Sequence, residues 1–400
     1  MSTVFNKKLS KIFFEESGES KLNQIKKSIA FVLKWHPDEE VGGAEIQAWM
    51  IAQGLAKRGW EVAYISETHH GQITNTQKNG VRLYRLPPQP QNFSFLNYFA
   101  LRRVMSSINA RVYYQRVVDG YTGLAVQIAK RQGAVSVWAS SSLILDCFPS
   151  QMQRDWKSRS HLRWKGISFL PAWLTDRIAE YGIRNADQVI AQTQEQKEAI
   201  RQTWRRESVV IPNSHPVPES VAEKTGVPII VWLGSIKSIK QPLLFVDLAK
   251  KCSDMDARFV MAGAPVDPAL SAELKEQTRD IPNLSYLGPI PFEETNTLLQ
   301  SAALLVSTSV GEGFSNTFIQ AWLRNVPVVS FVDPDGVIET NNLGLCADTF
   351  EDLVSSVKKM IMSPDARWEM GKQCRDYAVR KHGLDQIMDV YEALFTRLAG

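Results

Sequence analysis

The stretch Ser309-Val310-Gly311-Glu312-Gly313-Phe314-Ser315-Asn316-Thr317-Phe318-Ile319-Gln320-Ala321-Trp322 decides the reading of the fold. The apolar run Ala303 to Val306 ahead of it has the make-up of a buried strand, and Asn316 to Asn325 reads as a helix. Between them lies a glycine-rich loop with one carboxylate, Glu312. In open α/β sheets ligands bind beyond the carboxyl ends of the strands, so Glu312 is expected at a ligand. Gly311 and Gly313 let backbone approach that ligand closely. Ser315 or Asn316 can cap the helix, whose free N–H groups suit a phosphate.

The same strand–loop–helix unit recurs along the chain. Ser28 to Trp35 is a compact strand pattern, Gly42 and Gly43 follow, and Ala44 to Arg58 has apolar positions at helical spacing, stopped by Gly59. Glu61 to Ser66 is the next strand, which completes a βαβ unit of a parallel sheet. Strands at Val81 to Leu86, Arg111 to Gln115, Val135 to Ser140, Gln188 to Thr193 and Val209 to Ile211 continue the series. Helices are expected at Leu96 to Asn109, Tyr121 to Arg131 and Gln194 to Trp204. Pro212, Pro216 and Pro218 then interrupt it, and Glu219 to Lys224 is polar, the best linker in the sequence. A second βα series runs from Ile229 to Lys381, and Leu384 to Ala399 is a last amphipathic helix. The expected division is an N-terminal extension at 1–27, domains at 28–215 and 216–382, and a C-terminal helix at 383–400 that packs back on the first domain. Two such halves imply a ligand cleft between them.

Composition sets limits on function. The chain has 400 residues, enough for two domains, with 44% hydrophobic and 22% charged residues. Its net charge of +4 lacks the dense basic stripe of a nucleic-acid binder. Cys147, Cys252, Cys346 and Cys374 are scattered, so neither a disulfide framework nor a zinc site is expected, and reduced thiols fit a cytoplasmic protein. No apolar run approaches about 18 residues, so no membrane span or signal peptide is expected. Trp156 to Trp173 mixes Trp and Phe with Lys and Arg, a composition suited to an anionic membrane surface or to an insertion packed on the first half.

Three further motifs lie at strand ends. Gly42-Gly43-Ala44-Glu45 offers a row of N–H groups suited to phosphate but is not a GxGxxG loop. Gly234-Ser235-Ile236-Lys237-Ser238-Ile239-Lys240 places two lysines after the first strand of the second half. Val210-Ile211-Pro212-Asn213-Ser214 stands at the crossing between halves. Together with Glu312 and its loop, these motifs resemble glycosyltransferase family 4 (glycosyl transferases group 1), retaining enzymes of GT-B fold that use sugar nucleotides. The resemblance runs from about Ser28 to the C-terminus. It implies an α/β chain of two doubly wound Rossmann-like domains facing a central cleft, acceptor in the first and donor in the second.

The resemblance also implies roles. Lys240 would stabilise the donor diphosphate and Glu312 would orient the sugar. Gly42, Gly43, Ser235, Lys237, Gly313, Phe314, Ser315, Asn316 and Gln320 would line the donor site. The expected reaction moves a hexose-type sugar with retention from a nucleotide-diphosphate donor to a glycan or lipid-linked acceptor, as in surface polysaccharide or glycoconjugate synthesis. No metal or other cofactor is expected, and no nucleic acid. Three departures from the family pattern stand out. Ser235 replaces an arginine, Gln320 replaces the second Glu of the Glu-x7-Glu motif, and Ser140 ends a strand where many members carry His. None of the six histidines is an obvious substitute; His36, at the end of the first strand, could face the cleft, though a lone histidine there is more often incidental. The departures keep a second reading open, a catalytically weakened GT-B protein acting as a partner or scaffold. A sugar-nucleotide 2-epimerase is a third, but the cleft residues show no extra acid–base cluster for it.

Overall fold

The computed structural model describes residues 26–40, 42–69, 75–90, 92–141 and 169–400. The expected N-terminal extension up to residue 25, and the basic aromatic segment up to residue 168, lie outside the described residues.

Strand β1 (Ser28–Val32) is buried along its whole length, as a parallel strand covered on both faces must be. It is followed by α1 (Gly43–Lys57), β2 (Glu61–Glu67), β3 (Asn75–Lys78), β4 (Val81–Leu86), α2 (Tyr98–Ile108), β5 (Val112–Gln115), α3 (Gly120–Arg131) and β6 (Val135–Ala139). The first half ends with α4 (Phe169–Asn185), β7 (Gln188–Ala191), α5 (Gln194–Trp204) and β8 (Val209–Val210). These strands form one sheet in the order β3-β4-β2-β1-β5-β6-β7-β8. Only β3 runs antiparallel, pairing with β4 at the edge. Helices α3 and α4 cross with their backbones in contact. A Cβ at Gly123 would overlap the Ile178 carbonyl, and one at Gly182 would meet Thr122.

The second half contains β9 (Ile229–Leu233), α6 (Pro242–Lys251), β10 (Arg258–Ala262), α7 (Pro268–Thr278), β11 (Leu284–Tyr286), α8 (Phe292–Ser301) and β12 (Leu304–Ser307). Then come α9 (Asn316–Trp322), β13 (Val328–Ser330), β14 (Gly344–Cys346), α10 (Phe350–Met362) and α11 (Pro364–His382). Its sheet is fully parallel in the order β11-β10-β9-β12-β13-β14. Helix α9 is shorter than the sequence pattern suggests. It ends at Trp322, and Asn325 takes a left-handed conformation with φ 56° before β13.

The last helix, α12 (Leu384–Ala399), leaves the second half and lies on the first. Ile387, Met388, Tyr391, Leu394 and Phe395 share a core with Ile29, Phe31, Leu55 and Tyr64. Burying each such side chain is worth about 1.5–3 kcal/mol, so the helix is firmly held. The chain therefore crosses between halves twice, near residues 212–218 and again at His382–Leu384. The two crossings are bonded side by side: His215 N–H donates to the His382 carbonyl (2.9 Å), and Leu384 N–H to the His215 carbonyl (3.0 Å). Among the described residues no helix is long and apolar enough to cross a membrane.

Candidate functional site

In the second sheet, β9 has β10 on one side and β12 on the other. The loops after β9 and β12 therefore open the crevice in which such sheets bind ligands. One carries Gly234 to Lys240, the other Thr308 to Ser315. Buried Thr308 stitches them together. Its hydroxyl accepts from Trp232 Nε1 (2.9 Å) and faces the carbonyls of Lys240 (2.7 Å) and Gln241 (3.0 Å). Val310 N–H donates to the Ile239 carbonyl (3.1 Å). On this framework the Lys240 ammonium pairs with the Glu312 carboxylate; both side chains are mostly buried, 20% and 13% exposed. The two residues that the sequence singled out are thus in contact, 72 positions apart in the chain.

Lys237 is exposed at the mouth of this crevice. Desolvation by the surrounding protein lowers its pKa, and the Lys240 ammonium lowers it further, with Glu312 opposing. Ser235 is half-buried in the same loop and brings no charge. Gln320 is almost enclosed, and its Nε2 donates to Asn296 Oδ1 on α8 (3.1 Å). The side-chain oxygen makes no bond among the described residues and remains an acceptor.

The rest of the opening stretch turns inward. The Phe314 ring packs on His382 and Trp322, with centroids 4.8 and 6.0 Å away, so Phe314 has only backbone to offer a ligand. Ser315 occupies the cap position of α9 without capping it; its hydroxyl meets Thr317 Oγ1 at 2.9 Å. The Asn316 side chain does not cap either. It reaches across the cleft, where Nδ2 donates to the Gly43 carbonyl (3.1 Å). A Cβ at Gly43 would stand 2.8 Å from that nitrogen, so any larger residue there would displace the Asn316 amide.

The first sheet has its own crevice, where β1 lies between β2 and β5. Gly42 precedes α1 in extended conformation, and Glu45 follows within the first turn. Burial raises the Glu45 carboxyl to about 7, with Asp119 and Glu40 adding to the shift. Asp119 caps α3 and is itself pushed up to about 6 by burial. Sequence reasoning quoted Glu45 without choosing it and passed over Asp119. The available signal was position, directly after Gly42-Gly43 in one case and directly before a helical glycine in the other. Arg116, buried at the end of β5, bonds the Tyr114 hydroxyl (2.9 Å) and Asn213 Oδ1. His36 is turned into the packing of the first half, in line with the incidental reading of a lone histidine after a strand. Its ring sits 4.5 Å from Trp49 and 5.1 Å from Tyr64, fully buried, and burial lowers its pKa to about 4. Ser140 is buried too, its carbonyl accepting from Gln192 Nε2 (2.7 Å).

Two nucleotide-fold sheets, each opening a crevice toward the other and each contributing a glycine-bearing loop, define the GT-B architecture. Residues 42–214 match the family model described as glycosyl transferase 4-like domain, and residues 227–363 that described as glycosyl transferases group 1. The chain belongs to this family. It is 22% identical over 183 residues to the glycosyltransferase 1 domain-containing protein 1 of Xenopus tropicalis, an alignment covering 44% of this chain and 53% of the relative. The chain spans about half the length of the curated relatives it matches. Sucrose-phosphate synthase of Thermosynechococcus elongatus has the same fold, with TM-score 0.70 at 16% identity over 93% of this chain and 99% of that one. So does Anabaena HepE, solved in complex with UDP and glucose, with TM-score 0.68 at 15% identity over 92% and 99% of the two chains.

Proposed function

We propose that this chain transfers a hexose-type sugar from a nucleotide-diphosphate donor to a hydroxyl of a glycan or lipid-linked acceptor, with retention. Surface polysaccharide or glycoconjugate synthesis is the setting proposed for it. The observation that carries the proposal is the Lys240–Glu312 pair at the crevice of the second sheet, inside the matched residues 227–363. In the proposed reaction the bond between the anomeric carbon and the diphosphate oxygen breaks, and negative charge collects on the leaving phosphate. Lys240, with Lys237 at the mouth, supplies fixed positive charge to that oxygen from the chain itself. Removing one such donor costs about 3 kcal/mol of barrier lowering. The acceptor hydroxyl adds to the same face of the sugar, and its proton passes to the leaving phosphate. Glu312 orients the sugar, the Gly42–Gly43 loop faces the phosphates, and the Gln320 oxygen accepts from the ribose.

The acceptor side is proposed to lie near an anionic lipid surface. Leu170 and Trp173, where α4 emerges from the basic aromatic segment, are 66% and 43% exposed. Flotation with anionic vesicles tests this part: no binding, unchanged when the Lys and Arg residues are replaced, removes it.

Thermal unfolding with UDP, GDP, ADP and their sugars tests the donor site, because a ligand of the native state raises the midpoint. Stabilisation by one nucleotide series, with donor hydrolysis lost in Glu312→Ala, is the expected result. The second reading, a weakened scaffold, is favoured by Ser235, which leaves its loop one cation short. A chain stabilised by none of the nucleotides would establish that reading instead.

A further inference from the structure

Three carboxamides meet where the two halves join. Gln47 comes from α1 of the first half, Asn213 from the crossing and Asn316 from α9 of the second. Asn316 Oδ1 accepts from Gln47 Nε2 (3.1 Å) and from Asn213 Nδ2 (3.0 Å), while Asn316 Nδ2 donates to the Gly43 carbonyl (3.1 Å). The orientation of each amide is fixed by a group that cannot be reversed. Ser214 N–H donates to Gln47 Oε1 (3.1 Å), and the Ser214 carbonyl accepts from Gln47 Nε2 (2.8 Å). Asn213 is set by the Phe314 carbonyl, which accepts from its Nδ2 (3.1 Å), and by the Arg116 guanidinium on its Oδ1. The Gly43 carbonyl sets Asn316. Both N–H bonds of Gln47 and both of Asn213 are used.

We propose that Asn316 is a positioning residue, whose carboxamide ties the donor-side loop to the glycine loop and the crossing so that the two half-sites take up their working arrangement together. Glu312 stands only two residues before Phe314, whose carbonyl belongs to the same node. The position of the carboxylate on the donor side therefore follows the position of Gly42–Gly43 on the other side. A second tie closes the cleft elsewhere: the Asp335 carboxylate of the second half accepts from the N–H groups of Gln194 (2.8 Å) and Glu195 (2.9 Å), at the start of α5. Asn316 must accept twice and donate once at one length of side chain. Alanine does neither, and an ionised aspartate cannot donate to Gly43. A protonated aspartic acid can, since it carries one O–H and keeps a carbonyl oxygen.

The meaning of the node for turnover rests on the transfer reaction proposed above; the tie itself does not. Asn316→Ala and Asn316→Asp are compared with the unmodified chain by small-angle scattering, by UDP, GDP and ADP titration, and by hydrolysis of the matching sugar nucleotide. In Asn316→Ala the scattering radius rises and hydrolysis kcat falls about tenfold or more, while nucleotide affinity and KM stay within about threefold. Asn316→Asp matches the alanine variant at pH 8 and regains compactness and turnover toward pH 6 by more than any change that the unmodified chain and Asn316→Ala show over the same range. His215, beside Asn316, is held neutral across this range in the unmodified chain, whereas Glu45, raised to about 7, and Asp119, raised to about 6, titrate near the glycine loop in all three chains; the response of the new carboxyl is therefore the difference from the other two. An Asn316→Ala chain as compact and as active as the original overturns the proposal. So does a fall in nucleotide affinity in step with turnover, which would make Asn316 a donor ligand. If no nucleotide binds the unmodified chain, the transfer reading fails, and scattering with the pH recovery of Asn316→Asp still decides the tie.

Discussion

Lys240 and Glu312 neutralise each other at the mouth of the second half. A diphosphate that approaches Lys240 must compete with that carboxylate. Glu312→Ala removes the competitor, so nucleotide diphosphate affinity should rise, by up to about tenfold for one released charge-assisted bond. Sugar-nucleotide hydrolysis should fall by about 100-fold or more in the same variant. Lys240→Ala should lose both. Calorimetric titration beside a hydrolysis assay separates the outcomes; weaker binding in Glu312→Ala would mean that Glu312 itself holds the nucleotide.

Gln320 has one end committed to Asn296 and its oxygen left to accept. Gln320→Glu supplies a carboxylate that can take both ribose hydroxyls. The preference for a ribonucleotide over its 2′-deoxy form should then widen by about three- to tenfold. Paired titrations of UDP and 2′-deoxy-UDP, or of whichever nucleotide binds, measure it. An unchanged ratio would place the ribose elsewhere.

Acid should weaken the crossing before it weakens the sheets. Burial lowers His215 to about 3, with Arg324 and His382 adding and Asn316 opposing. Burial likewise lowers His382 to about 4, with Lys381 adding and the Asn213 carbonyl opposing. Both rings are neutral in the folded chain, while the unfolded chain takes up protons below about 6.5. Stability is therefore whole above that pH and falls as pH drops toward 4, by about 1.4 kcal/mol per pH unit for each ring. Urea unfolding from pH 7 to 4.5 should show this slope. His215→Phe, which keeps the stack on Phe292, should flatten it by up to one proton.

Glu45 behaves in the opposite sense. Its carboxyl is raised to about 7, so the folded chain favours the protonated form, and stability falls as pH rises from about 4.5 through 7. Glu45→Gln should stabilise the chain at pH 8 by about 1–3 kcal/mol and make no difference at pH 4.5. Thermal unfolding at the two pH values checks this, and equal midpoints at pH 8 would place the carboxylate in water.

Elements that bury an apolar run could be read from the chain alone. Val81 to Leu86 and Leu384 to Ala399 were expected at the observed bounds. Strand β3 was missed because Asn75, Thr76, Gln77 and Lys78 are all exposed and leave no alternation to read. Helix α8 was missed for a similar reason, burying only Leu299 fully. At the site, Glu312 and Lys240 could be found because each follows a strand and a glycine and falls on a position of the family motif that the chain resembles. The amide node could not. Gln47 looks like any polar residue in a helix, and its meaning depends on partners 167 and 269 positions away.

The paired crossings have a mechanical consequence. A single connecting segment would let the halves swing and twist in any direction. Here residues near His215 and His382–Leu384 are laced into a short two-stranded ribbon, which resists twisting more than one strand does. Any parting of the halves is expected to run as a bend of that ribbon rather than a twist about it. Cutting the chain near residues 219–224 would leave the pieces joined through α12, so a nicked chain should still run as one body in gel filtration.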